Sequence, residues 1–160
     1  MFDDNVVLQI KNGPMDFQVR EPVSTLFGQL PNTNVMMEVQ AAQEYTGQQI
    51  HAVNLVTMWA EYLAHDTKRA GAGSTLAALV QEGRFHRDGP KPRRRSGMAA
   101  VSNLGSWANW TGHVLAGSNV YGFGRLAWDP ERPAAAINAE WVRMTFPNAD
   151  AVVETTLAWI

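Results

Sequence analysis

Cysteine is absent from the 160 residues, which excludes disulfides, thiolate nucleophiles and cysteine-based metal sites. No stretch approaches the roughly 18 consecutive apolar residues that a membrane-spanning helix needs. The opening residues, MFDDNVVLQ, carry acids where a signal peptide would carry positive charge. Neither sign of charge dominates: 13 basic residues stand against 15 acidic ones, a net −2 that gives no global attraction to nucleic acid or membrane. Ser118 lacks the G-x-S-x-G frame of a nucleophile elbow. Gly117, Gly122 and Gly124 are followed by no Gly-Lys-Ser/Thr, so close helix packing accounts for them better than a phosphate loop. His51, His65, His86 and His113 show no metal-ligand spacing and read as surface or locally hydrogen-bonded residues. The expectation is a cytoplasmic protein with no cofactor and no metal. A secreted protein is the alternative, and there the sequon Asn109-Trp110-Thr111 would matter.

What is present begins with a hydrophobic fraction of 46%, ordinary for a globular chain and enough for one domain with a sizeable core. Six tryptophans imply large apolar faces that seek partners. Trp107 and Trp110 read as core packing in preference to sugar-stacking platforms. Met1 is followed almost at once by the β-type run Val6 to Ile10, and the helical pattern from Ala151 to Ile160 stops without a C-cap. The chain therefore reads as an excerpt, with residues 1–160 forming part of a larger domain.

Strand patterns run over Asn5 to Lys11, Asn34 to Gln40 and, more weakly, Met98 to Asn103. Helical patterns run over Thr57 to Lys68, with Trp59 and Leu63 four apart, and over Ser74 to Gln81, with Ser74 or Thr75 as N-cap. A further helix, Ala134 to Phe146, follows Pro133 and sets Ile137, Trp141 and Met144 on one face. The last, Ala151 to Ile160, sets Val153, Leu157 and Ile160 on one face. Alternating strands and helices predict βα units on a parallel sheet. Three strands cannot close a barrel on their own. Residues 83–96, GRFHRDGPKPRRRS, hold six of the 13 basic residues and read as a solvated surface loop. A phosphate patch built on Arg93, Arg94 and Arg95 is the sharper alternative.

Two carboxylates carry the chemistry. Asp16 follows the first strand across a Gly13-Pro14 turn, and Glu44 follows the second, beside Tyr45-Thr46-Gly47. Strand ends suit acid/base work, because a rigid element aims the side chain while a loop leaves room for substrate. Each also has a plain reading: Asp16 as a side-chain cap on its turn, Glu44 as a loop hydrogen bond. Glu38, inside an apolar run, needs a partner. Arg20 and Glu21 read as a local ion pair, and Lys11 as a surface cation or one aimed into a pocket. Carboxylates on neighbouring strand ends, with strands about 4.8 Å apart, fit the roughly 6.5–9.5 Å that inverting glycosidases need around a water.

The segments VVLQIKNGPMDFQVREPVSTLFGQL, EVQAAQEYTGQQIH, GMAAVSNLGSWANWTGH and NVYGFGRLAWDP resemble, in order, the α-glucuronidases of glycoside hydrolase family 67. The likeness runs from about Phe2 to about Phe146. It implies the C-terminal portion of a (β/α)8 TIM barrel, an α/β fold incomplete on its own. It implies inverting hydrolysis of the α-1,2 link between 4-O-methylglucuronic acid and xylose, with xylo-oligosaccharides bearing glucuronic acid as substrate. It also implies that Asp16 and Glu44 flank the attacking water and that Lys11 holds the uronate carboxylate. The family's general acid is a Glu upstream of this chain, so the isolated polypeptide is expected to be inactive. A separate expectation is that the parent is a homodimer. The basic loop looks longer and more charged than its family counterpart. The competing class is a non-catalytic α/β module that grips acidic oligosaccharides through its tryptophans and Lys11. An additional strand-end Glu upstream would discriminate between the two.

Overall fold

A computed structural model of the chain describes residues 2–3, 5–13, 20–41, 46, 51–69, 71–82, 95–102 and 104–158. It is a mixed α/β structure. Strands β1 (Val7–Lys11), β2 (Asn34–Gln40) and β3 (Gly97–Val101) form one sheet in the order β1-β2-β3. Helices α1 (Val56–Ala64) and α2 (Leu76–Glu82) lie between β2 and β3 in sequence, and α3 (Gly117–Trp128), α4 (Ala134–Thr145) and α5 (Ala151–Ala158) follow β3. β1 and β2 are parallel, with Val7 opposite Asn34 and Lys11 opposite Glu38. Two compact units partition the chain: Met1–Gln40 with Glu61–Ala100, and Ala41–Ala60 with Val101–Ile160.

In the first unit, β2 shows the period of a sheet with one covered face. Val35, Met37 and Val39 are buried, while Met36, Glu38 and Gln40 are half-buried. Helix α2 packs against β2 and buries Leu76, Leu79 and Val80. Its N-cap is Thr75, whose hydroxyl accepts from the Ala78 amide at 3.1 Å. Helix α1 ends at Ala64, four residues short of the sequence expectation. Asp66 provides the reason: its carboxylate accepts from the amides of Lys68 at 2.8 Å and Gly73 at 2.9 Å. Those bonds favour a tight turn over another helical turn, and Lys68 sits there at φ +56°.

In the second unit, α3 forms although Gly117, Gly122 and Gly124 lower its helix propensity. Gly122 shows what offsets that cost, since a Cβ at this position would lie 2.1 Å from Val56 Cγ2. Close packing, expected of these glycines, holds there. Gly124 faces open space and shows no such contact. Helix α4 packs on α3 and on α5. Its buried stripe is Ile137, Asn138, Trp141 and Val142. Met144, expected on that face, is 62% exposed, because the stripe is centred on the 137/141 and 138/142 pairs.

The tryptophans divide. Trp59 and Trp141 are buried, whereas Trp107, Trp110 and Trp128 are exposed, at 82%, 47% and 86%. Core packing for Trp107 and Trp110 is thus overturned: both stand on the turn-rich segment 104–113, which is too irregular to cover them. No described helix is long and apolar enough to cross a membrane. Most of the basic segment 83–96 lies outside the described residues. From it, the Arg95 amide donates to Asn34 Oδ1 at 3.0 Å.

Candidate functional site

Asp16 and Glu44 both lie outside the described residues; the strands that precede them in sequence are described. Lys11 ends β1, exposed, and stands opposite Glu38 in the register with β2. Glu38 has the partner its position demands: the Gln9 side-chain amide donates to its carboxylate. Because β1 and β2 are parallel neighbours, their carboxyl ends, Lys11 and Gln40, fall at the same edge of the sheet. Asp16 comes five residues after Lys11 and Glu44 four after Gln40 in the sequence.

Beyond β1 the chain stays tied to the sheet. The Asn12 amide donates to the Glu38 carbonyl at 2.8 Å, and the Asn12 carbonyl accepts from the Ser24 amide at 2.8 Å. Gly13 runs hard against Glu21, where a Cβ would lie 2.6 Å from the Glu21 Cβ. Tyr62, buried on α1, accepts from the Glu21 amide at 3.1 Å and donates to the Glu21 carbonyl. Burial pushes the Tyr62 hydroxyl above its ordinary range, and its hydrogen bond to the Glu21 backbone pulls the other way. It therefore stays protonated and able to donate near neutral pH. The Arg20 guanidinium meets Glu61 at an exposed position.

The second unit holds a buried polar cluster. Asn119 accepts from the Leu55 amide at 2.8 Å and donates to the Val53 carbonyl at 2.9 Å, so one side chain satisfies both backbone groups of a passing segment. Asn54 donates to Asn138 Oδ1 at 3.0 Å and accepts from the Val56 amide at 3.1 Å, at the start of α1. Between α3 and α4, Glu140 accepts from the Tyr121 hydroxyl at 3.0 Å, lies 3.2 Å from Arg125 Nε and also pairs with Arg132. Desolvation pushes the Glu140 carboxyl up, but the Tyr121 hydrogen bond and the two guanidiniums outweigh it and hold it below its usual range. Desolvation and the same carboxylate raise Tyr121. His113 acts locally, its Nδ1 accepting from the Ala116 amide at 3.2 Å.

Of the three candidate site residues, Asp16, Glu44 and Lys11, Lys11 is the one the structure describes, at the end of β1. Tyr62 and Asn119 escaped sequence reasoning. Tyr62 had one legible signal, a polar-tipped aromatic beside Trp59 and Leu63 on an apolar helix face. Asn119 had none, since its partners are backbone groups more than 60 residues away in sequence.

Comparison with known proteins extends this picture. The model of the glycosyl hydrolase family 67 middle domain matches residues 1–110, and that of the family's C-terminus matches residues 111–159. Among curated relatives, alpha-glucuronidase A of Emericella nidulans is 46% identical over 153 residues, covering 96% of this chain and 17% of the relative. The probable alpha-glucuronidases A of Aspergillus flavus and Aspergillus niger are 46% and 42% identical over 154 residues, 96% of this chain and 18% of each relative. The chain thus spans less than a fifth of the length of the relatives it matches. The segment boundary near residue 110 and the unbroken similarity on both sides of it lead to one conclusion: the chain belongs to glycosyl hydrolase family 67.

Proposed function

We propose that the chain is part of an inverting α-glucuronidase that hydrolyses the α-1,2 link between (4-O-methyl)glucuronic acid and xylose in xylo-oligosaccharides, a step in xylan degradation. The observation that carries this reading is the 46% identity to alpha-glucuronidase A across 96% of the chain. In this reading β1, β2 and β3 are late strands of a (β/α)8 barrel, with active-site groups leaving their carboxyl ends. Asp16, Glu44 or both take a proton from a water as it attacks the anomeric carbon. The glycosidic bond breaks on the opposite face, and its oxygen takes a proton from a glutamic acid outside these residues. Two such carboxylates titrate as a coupled pair. Lys11 supplies a cation to the sugar's carboxylate, which favours uronates over neutral sugars. Its exposed place at the end of β1 supports this role. The parent works in the cytoplasm as a homodimer, and the 160-residue chain alone is inactive.

The test is to assay the complete polypeptide that carries this segment on 4-O-methylglucuronosyl xylotriose, following the product anomer by NMR. Asp16→Ala and Glu44→Ala are expected to lower kcat by at least about 10²-fold, with the β-anomer released first by the unaltered protein. A folded complete protein that binds the oligosaccharide without cleaving it would transfer the assignment to the binding module.

A further inference from the structure

The segment that joins β1 to β2 closes on itself at a neck within the first unit. Its outgoing arm is Asn12-Gly13 and its returning arm is Glu21 to Ser24. The backbone bond from Ser24 to Asn12, 2.8 Å, holds the arms together, and the bond from Asn12 to Glu38, also 2.8 Å, fixes them to the sheet. Gly13 permits the approach, because any Cβ there would lie 2.3 Å from Glu21 Oε2. One phenol then spans the neck. The Tyr62 hydroxyl bonds both the amide and the carbonyl of Glu21, and the side chain of Asn12 reaches the same hydroxyl. The group is buried, at 5% exposure, so water cannot take its place without reopening the core. The neighbouring Arg20–Glu61 pair, at 68% and 50% side-chain exposure, is too solvated to hold the neck by itself.

We propose that Tyr62 is a positioning residue: it holds Asn12 and Glu21, described residues on either side of the stretch that carries Asp16, and acts through them, not on the substrate. This inference rests on the reading of Asp16 as a water-activating carboxylate. Gly13 and Glu21 bound the sequence stretch that carries Asp16, so a shift of the neck shifts both of its points of attachment. Catalysis is steep in such geometry: a displacement of about 1 Å can cost about 10²-fold. Removal of the hydroxyl leaves the Glu21 amide and carbonyl without this partner, and the arms can separate.

The experiment uses the complete polypeptide and compares Tyr62→Phe with Tyr121→Phe, which loses a tyrosine hydroxyl bonded to Glu140 at 3.0 Å in the other unit. Both are assayed on 4-O-methylglucuronosyl xylotriose at a temperature where circular dichroism shows them folded. Tyr62→Phe is expected to lose about 10- to 100-fold in kcat with KM within about twofold. It should also shift the acid limb of kcat/KM against pH, which reports the base carboxylate. Tyr121→Phe should keep both at the unaltered values. A folded Tyr62→Phe with unaltered kcat and pH profile overturns the proposal, as does an equal loss in Tyr121→Phe. If Tyr62→Phe does not fold, Gly13→Ala strains the same neck from its other arm. A lowered kcat with unaltered KM then supports the proposal, and an unaltered kcat overturns it. The two levels separate cleanly. An unaltered protein that releases no glucuronate removes the functional reading and this inference with it, whereas an Asp16→Ala variant that still releases it leaves Glu44 as the base and removes the inference alone. An inactive Asp16→Ala beside a fully active Tyr62→Phe removes the inference alone.

Discussion

At the scale of single residues, the positions that matter most are those where one atom more or fewer cannot be absorbed. Gly122 is the clearest. An alanine there would drive its methyl to 2.1 Å from Val56 Cγ2, and the contact is with a branched side chain that has few rotamers to escape into. Overpacking of this kind costs about 1–3 kcal/mol. Gly122→Ala is therefore expected to lower the urea midpoint of the complete protein, while Gly124→Ala, where a Cβ meets nothing within 4 Å, should leave it unchanged or raise it. Equal midpoints for the two variants would refute the packing argument. Sequence alone could flag these glycines as packing residues but could not tell one from the other, because the difference lies in a partner more than 60 positions away. Trp59, Leu63, Ile137 and Trp141 were legible as core from helical spacing. Met144, Trp107 and Trp110 were not, since large apolar side chains pattern alike whether or not a neighbour arrives to cover them.

At the scale of elements, β2 was legible to the residue, from Asn34 to Gln40, because its alternation is clean and turn residues flank it. β1 and β3 were found with ends displaced by one or two residues. Helix α1 was found but ended early, since the Asp66 turn depends on a carboxylate reaching Gly73, seven residues on. Helix α3 gave no helical signal, and its place is secured by tertiary bonds. Foremost is Asn119, whose amide closes on Val53 and Leu55 as a strand partner would. Asn119→Ala strands one buried amide and one carbonyl and should cost about 1–3 kcal/mol for each group left unsatisfied. Asn119→Asp keeps an acceptor for Leu55 but sets a buried carboxylate against the Val53 carbonyl, so its cost should arise on the Val53 side. Hydrogen exchange at the Leu55 amide provides the readout: faster in Asn119→Ala, protected in Asn119→Asp. Matching exchange rates in the two would contradict a side-chain clamp. The candidate site was legible in the same partial manner. Lys11's place at the end of β1 followed from pattern, whereas Asp16 and Glu44 rest on motif alone and lie outside the described residues. The neck at Tyr62 required the fold.

At the scale of the whole molecule, charge is nearly balanced, yet several carboxylates are tied into specific contacts. Glu140 is held below its usual range as described. Glu154 is depressed by its paired bonds to Arg143, at 2.7 and 2.9 Å, and Asp66 by the amides of Gly73 and Lys68. A group whose folded pKa is depressed contributes stability above its unfolded value and loses it as pH falls through the folded one. The unfolded values are the ordinary 4.5 for Glu140 and Glu154 and 3.8 for Asp66. Stability should accordingly be flat in this respect near neutrality and decline from about pH 4.5 downward. Urea midpoints measured from pH 7 to pH 3 should trace that decline. Glu140→Gln should start lower at pH 7 and fall less steeply than the unaltered protein; parallel curves would mean that Glu140 binds protons alike folded and unfolded.

The close seat of Val56 on Gly122 also bears on how such a chain can change over generations. With 2.1 Å between the would-be methyl and Cγ2, position 122 cannot gain a side chain without regard to position 56. A side chain can be gained at 122 only along a lineage that has first given up bulk at 56, so the two substitutions have an order. History at this joint runs through a single narrow passage, and of the two exchanges between lineages on either side of it, the one that sets a side chain at 122 against valine at 56 is the harmful one.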